Sequence, residues 1–418
     1  MHMPQVLILG SGYAGLRCAH DLARIRRTKQ YVITLLSNET VHVEYPMLYE
    51  AATASLPQES LQSTERITRS VSVSLANIVA RLPLRIRTGK VEEIVPEKNL
   101  VRVSGGREVP YDFLVSALGA DIATFGVMGV RENAFTVKTL RETLRLRHHI
   151  VRQFFLAARA GRKERLERLT FVVVGGGATG VETAAELAGQ AHEQCLAHTI
   201  RPEDVRIVLL ESGPRILSML PQRLSAKATR RLCQLGVEVV TDSSVEIVTP
   251  DTVLWDGGKK RLRTLTVVWA GGLALHPVLA RSTLPAGDTG ILVKPTLQSI
   301  GFENVLGAGD GAVIEGREKD IPANVPVAYT QGALAARNIL RLMTGKRLDT
   351  YTYRAQGQLI ALGGKQALLT LASGRGWIGF LPWVVKRLVS LKYWLRFLPP
   401  KDALTFWTNG SRLQTWND

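Results

Sequence analysis

Two stretches of this chain repeat one short pattern. Val6-Leu7-Ile8-Leu9 is an apolar run of strand length, and Gly10, Gly12 and Gly15 follow it in the order G-x-G-x-x-G. Phe171-Val172-Val173-Val174 leads in the same way into Gly175, Gly177 and Gly180. Each glycine answers a separate demand. The first permits a tight turn out of a strand, the second leaves room for a pyrophosphate at a helix N-terminus, and the third lets that helix pack closely on the sheet. One such match is weak evidence, but a second copy predicts two nucleotide-binding βαβ units and hence two dinucleotides. A late glycine-and-acid turn, Gly307-Ala308-Gly309-Asp310, follows the apolar pair Val305 and Leu306. At such a turn backbone N–H groups can hold a phosphate or a ring edge, and Asp310 can accept from sugar hydroxyls.

In units of this kind an acid at the tip of the second strand binds the adenosine ribose. The first unit's second strand, Tyr31 to Leu36, ends at Ser37, so that either Asn38 or Glu39 takes the acid's part or the ribose is held more weakly. In the second unit the strand Val205 to Leu210 ends in Glu211. A carboxylate there accepts from a ribose diol and repels a 2'-phosphate, which favours NADH over NADPH, although Arg215 is near enough in sequence to soften the preference. The small residues of Ser116-Ala117-Leu118-Gly119 and Trp269-Ala270-Gly271-Gly272 let the backbone approach a ligand, making Ala117, Gly119 and Gly272 binding candidates. Segments Leu84 to Val115 and Val237 to Val268 read as matching antiparallel insertions. His42 to Pro57, HVEYPMLYEAATASLP, reads as a polar, proline-broken stretch beyond a strand end, with Glu44, Pro46 and Glu50 lining a cofactor pocket.

Further candidates come from helix starts. Glu182 lies in the first turn after Gly180, where a carboxylate either complements the helix N-terminus or serves beside a bound nicotinamide or flavin. Gln331, in the run Ile321 to Gly332, is a candidate donor to a carbonyl. His192, Cys195 and His198 lack the spacing of a zinc-binding helix, so no metal is expected.

The chain has 418 residues, 45% of them hydrophobic, enough for two or three packed domains. Cys18, Cys195 and Cys233 form no CxxC pair, which argues against a redox dithiol and suits a reducing compartment. A signal peptide is not expected before Val6, and no apolar run is long enough to span a bilayer. The net charge of +17 attracts anionic partners. Nucleic acid is not expected among them, because basic and aromatic residues do not interleave outside the hydrophobic tail. That tail, Trp377 to Leu398, places Val384, Leu388, Leu391, Leu395 and Leu398 on one helical face, with Lys386, Arg387, Lys392 and Arg396 around the rest. It reads as a helix lying in an anionic membrane surface, with a homodimer or domain interface as the competing use.

Two nucleotide units and a late acidic turn predict two-electron transfer, hydride passing from nicotinamide to flavin between rings held at about 3 to 3.5 Å. The motifs GSGYAG, HVEYPMLYEAATASLP, SALG, GGGATGVETAAEL, LLES and GAGD, with the amphipathic end, resemble those of the type II NADH dehydrogenases, across essentially the whole chain. The resemblance implies an α/β fold with two Rossmann-like domains, for FAD and NAD, and a C-terminal amphipathic membrane-anchoring region. It implies FAD held by residues 1–120 and 286–345, NADH by 121–285, and membrane association by 346–418. It further implies a peripheral (monotopic) enzyme at the cytoplasmic face of the cell membrane that passes electrons from NADH to a membrane quinone without pumping protons. Glu182 corresponds to that family's acid beside flavin and nicotinamide, Glu211 to its ribose acid and Asp310 to its flavin-binding aspartate. The quinone motif departs from the usual AQxAxQQG-like run: in VPVAYTQG, Ala328, Gln331 and Gly332 match, while Pro326 and Thr330 replace glutamines. Sulfide:quinone reductases share the layout but need catalytic cysteines. A soluble FAD-dependent NAD(P)H reductase is the alternative, and a redox-sensing or nucleic-acid-binding flavoprotein a further one.

Overall fold

The computed structural model describes residues 3–25, 31–54, 61–317 and 320–414. Its contacts separate into two compact units, each assembled from three stretches of chain. One comprises Met1–Val43, Val73–Asp121 and Leu273–Ala355, the other Glu44–Ser72, Ile122–Gly272 and Gln356–Asp418.

The first unit is built on a five-stranded sheet in the spatial order Val305–Gly307, Phe113–Ser116, Gln5–Leu9, Val32–Ser37, Arg85–Thr88. All pairs are parallel, with Leu7 opposite both Thr34 and Leu114. Val6 to Leu9 are buried, as a strand covered on both faces must be. Helix Tyr13–Ile25 follows the first fingerprint, and helix Val325–Met343 packs on it. The latter begins where Asn324 accepts a hydrogen bond from the Val327 N–H, with a proline in the first turn.

The second unit repeats the plan with four parallel strands in the order Val237–Val240, Arg206–Leu210, Thr170–Val174, Thr266–Trp269. Helix Ala178–His198 follows its fingerprint. Its core is continuous from Phe154 and Phe171 through Leu187, Leu209 and Leu232 to Ile360 and Leu368. This α/β architecture with parallel sheets is the one expected. Each unit also carries a three-stranded antiparallel sheet, Val91 to Pro110 in the first and Val245 to Arg263 in the second.

Several local readings change. Arg85–Thr88 and Val237–Val240 belong to the parallel sheets as edge strands, because their residues pair with Val32–Ser37 and Arg206–Leu210; the antiparallel insertions begin after them. His42 to Ala54 is not an open loop: a 3-10 turn, Tyr45–Met47, feeds helix Leu48–Thr53, whose residues are all buried. The rest of that segment lies outside the described residues. At the carboxyl end Trp377 sits in a strand, and two helices follow, Phe380–Phe397 and Pro400–Gln414, where one was expected. Among the described residues no helix is long and apolar enough to cross a membrane.

The fingerprint glycines divide into two kinds. A Cβ on Gly15 would lie 2.0 Å from the Gly10 carbonyl oxygen, and one on Gly180 1.9 Å from that of Gly175. Around Gly12 and Gly177 a Cβ would meet nothing within 4 Å. Gly15→Ala and Gly180→Ala should therefore each cost roughly 2–3 kcal/mol through a backbone clash. Gly12→Ala and Gly177→Ala should stay within about 0.5 kcal/mol of the parent in the ligand-free protein. Thermal denaturation of the four variants checks the division.

Candidate active site

In the first unit the sequence candidates converge on one end of the sheet. Gly10, at φ +93°, turns against Ala117, whose carbonyl a Cβ there would strike at 2.3 Å. Gly311 lies against Gly119, and Gly309, at φ +80°, fits between Ala14 and Ala328. The buried Gln331 accepts the Gly309 N–H through its Oε1 at 2.7 Å, which ties the Val325–Met343 helix to the Gly309-Asp310 turn. Gly332 lets that helix reach the backbone of Ala14. At the second-strand tip, Ser37 shares a hydrogen bond with Ser11 at 2.8 Å and accepts the Glu39 N–H, leaving Asn38 and Glu39 exposed beside it.

The Gly10-Ser11-Gly12 turn has a brace that sequence reasoning missed. His42 is fully buried, its Nδ1–H donates to the Ser11 carbonyl at 2.7 Å, and the Tyr13 ring meets it edge-on. Burial pushes the His42 pKa down from 6.5 to about 4, against the opposing effect of that hydrogen bond.

In the second unit Gly175 turns against the Ala270 carbonyl, as Gly10 does against Ala117. Glu211, at the strand tip, accepts the Gly213 N–H at 2.6 Å and the Gly176 N–H at 2.5 Å. Ser212 also donates to Oε1, at 3.3 Å; the carboxylate is thus fixed against the fingerprint turn, and Oε2, with one donor, retains a lone pair for a ribose hydroxyl. Arg215 is spent elsewhere. Its guanidinium donates to the carbonyls of Ser218 and Leu220 in its own loop, at 2.6 and 2.8 Å.

Glu182 is part of a buried polar cluster. Its Oε1 accepts from Lys386 Nζ at 2.6 Å and from the Ala361 N–H at 3.0 Å. The Lys386 ammonium also lies 4.9 Å from the centre of the Tyr49 ring, and the Tyr49 hydroxyl donates to Glu50. The next residue, Arg387, is 3% exposed and 3.8 Å from Glu50 Oε2; it also donates to Ser411 and the Trp407 carbonyl. Burial drives the Tyr49 hydroxyl well above its usual range, and the charges of Glu50, Glu182 and Glu186 push it further. Glu44, read as lining a cofactor pocket, is instead 4% exposed and accepts from the Trp394 Nε1–H at 2.6 Å. Burial raises its pKa, opposed by the hydrogen bonds of Ser390 and Trp394 and the charges of Arg387 and Lys386. Pro46 is half-buried at the start of the 3-10 turn.

Residues 4–332 match the model of the pyridine nucleotide-disulphide oxidoreductase family. The chain is 31% identical to the type II NADH:quinone oxidoreductase NdhA of Mycobacterium tuberculosis, over 93% of this chain and 83% of that one. The type II NADH:quinone oxidoreductase of Staphylococcus aureus is 29% identical over 86% of this chain and 87% of its own. This chain belongs to the type II NADH:quinone oxidoreductase family. Its fold is that of NDH2 from Plasmodium falciparum, solved in complex with NADH, with a TM-score of 0.85 at 18% identity over 98% of both chains.

In this type II oxidoreductase the amphipathic carboxyl end needs revision. Lys386 and Arg387, expected among the cations around the rest of the helix, turn inward to Glu182 and Glu50. Of the expected apolar face Leu388 and Leu395 are exposed, Val384 and Leu391 are half-buried and Leu398 is buried; Leu381, Lys392 and Arg396 are exposed as well. Spacing in sequence separates Glu182 from Lys386 by 204 residues, and nothing local in either segment signals the pair.

Two tests follow from these contacts. The His42 pKa is lowered on folding, so its contribution is complete above pH 6.5 and is lost as the pH falls toward about 4. It amounts to roughly 3 kcal/mol, and the acid side of the stability profile should flatten in His42→Gln relative to the parent. For the ion pair, Glu182→Gln and Lys386→Met should each destabilise by roughly 3 kcal/mol, because each leaves a charge or acceptor stranded. The double variant should recover much of that loss, which a double-mutant cycle in denaturant measures.

Proposed function

We propose that this enzyme oxidises NADH with a bound FAD and passes the electrons to a membrane quinone, as a peripheral protein at the cytoplasmic face of the cell membrane. The observation that carries the reading is the pair of fingerprint turns in which Gly12 and Gly177 face open space while their neighbours are tightly packed. Those two cradles fit two pyrophosphates at two helix N-termini.

FAD belongs with the first unit, Met1–Val43, Val73–Asp121 and Leu273–Ala355, without the Glu44–Ser72 stretch that the span 1–120 would include. Gly12 would receive its pyrophosphate, Asn38 or Glu39 its adenosine ribose, and Asp310 its ribityl hydroxyls, with Ala117, Gly119 and Ala328 allowing close approach. When bound, FAD supplies a two-electron acceptor for hydride and a donor to quinone. NADH belongs with residues 121–285, its pyrophosphate at Gly177 and its adenosine ribose on Glu211; with Arg215 tied to its own loop, that carboxylate rejects a 2'-phosphate. Glu182 serves beside the nicotinamide as a carboxylate held in place by Lys386 at 2.6 Å. The Gln331 amide oxygen is held by Gly309, which orients its NH2 as a donor to a quinone carbonyl as negative charge develops there.

Membrane contact is supported by the exposed row Leu381, Leu388 and Leu395, at 60, 51 and 45% exposure, with Phe380 and Trp377 at its near end. A net charge of +17 adds attraction to an anionic surface, and free cysteines suit the cytoplasmic side. Truncating the helix would also remove Lys386 and Arg387, so surface substitutions test the anchor more cleanly. The triple variant Leu381→Ser, Leu388→Ser and Leu395→Ser should detach from anionic liposomes. Its turnover with a long-tailed quinone in liposomes should fall at least roughly tenfold while ferricyanide reduction is kept, since about three buried leucines supply several kcal/mol of partitioning. Full activity with the long-tailed quinone would support the soluble reductase instead.

A further inference from the structure

Phe125 stands in a backbone conformation that a phenylalanine adopts only under constraint. Its φ is +51°, in the left-handed region, while 72% of its surface is exposed to water. A bulky side chain is disfavoured in that region, and no burial of the ring offsets the strain. The loop is nevertheless held firmly. Trp269 donates its indole N–H to the Ala123 carbonyl at 2.8 Å, the Ala123 N–H donates to Gly272, and Val127 closes a turn on Thr124. Beyond it the Met128 N–H donates to the Glu246 carbonyl and the Met128 carbonyl accepts from Val248. The ring edge lies over Gly272, where a Cβ would meet Phe125 Cζ at 3.1 Å.

The sheet order says what lies at this position. In the second unit the strand bearing Glu211 is on one side of Thr170–Val174, and Thr266–Trp269, which leads into Gly272, is on the other. A dinucleotide with its adenosine ribose on Glu211 and its pyrophosphate at Gly177 runs from the first side toward the second. The end that reaches the Gly272 side is the one that carries nicotinamide. We propose that Phe125 is a recognition residue for the nicotinamide half of NADH, its strained and exposed ring forming an apolar wall against which that half packs. This rests on the reading of the second unit as the NADH site.

The test compares two ligands that share the adenosine diphosphate ribose portion. NAD+ carries nicotinamide and ADP-ribose does not, so calorimetric titration of the FAD-loaded enzyme with each separates the two halves. In Phe125→Ala, NAD+ should bind roughly tenfold more weakly, as expected for loss of one aromatic stacking surface, and ADP-ribose should bind as in the parent. Phe125→Tyr should restore NAD+ binding, and KM for NADH should rise in Phe125→Ala more than kcat falls. Equal weakening of both ligands would mean that the loop had merely been distorted, and unchanged NAD+ binding would mean that the ring is not used; either result overturns the proposal. Failure of the parent enzyme to bind ADP-ribose would overturn the assignment of NADH to the second unit and this inference with it, a result distinguishable from the other two.

Discussion

Backbone packed directly on backbone is the constraint on which both units depend. At Gly10 against Ala117, and again at Gly175 against Ala270, the turn leaving the central strand touches the chain leaving its neighbour, with no space for a side chain. Gly15 and Gly180 repeat the demand one helical turn later, against the carbonyls of Gly10 and Gly175. These contacts aim each helix N-terminus at one point beyond the sheet, so the free N–H groups and the positive end of the helix dipole meet there. A phosphate site follows from the packing without any charged side chain being required.

Everything that distinguishes the two units is added around this shared frame. The first turn is braced by a buried neutral histidine and a serine pair; the second is braced by the carboxylate of Glu211. The second brace is a carboxylate, where the first unit has the hydroxyl of Ser37 at the strand tip. On the function proposed above, that difference puts nucleotide selectivity in the unit that takes the exchangeable substrate. It leaves the first unit to hold its ligand through the late turn, where Gln331 locks Gly309 and Asp310 to a helix.

The fingerprints, the strand tips and the late turn were legible in the sequence because each is set by a few consecutive residues under a local steric rule. Parallel sheets followed from the apolar strands that precede them. The limits came where sequence distance hid spatial proximity. Lys386 and Arg387 look like any cations on an amphipathic helix, and only the fold brings Glu182 and Glu50 to them. Glu44 suffers the same ambiguity, since a carboxylate in a polar stretch gives no sign that an indole 350 residues away will claim it. Short edge strands such as Arg85–Thr88 were misjudged for a related reason: their exposure gives them a mixed pattern, and their pairing partner is set by the sheet.

The long reach of the Glu182–Lys386 pair bears on how the protein is made. The second unit draws on Glu44–Ser72, Ile122–Gly272 and Gln356–Asp418, so during synthesis two of its three pieces emerge well before the third. Until that third piece leaves the ribosome, the core lacks Ile360 and Leu368, and Glu182 lacks Lys386. Non-local closure of this kind slows folding and prolongs exposure of unfinished core. The core of the second unit is therefore left unfinished over a window set by the time taken to synthesise the last sixty or so residues, Gln356 to Asp418.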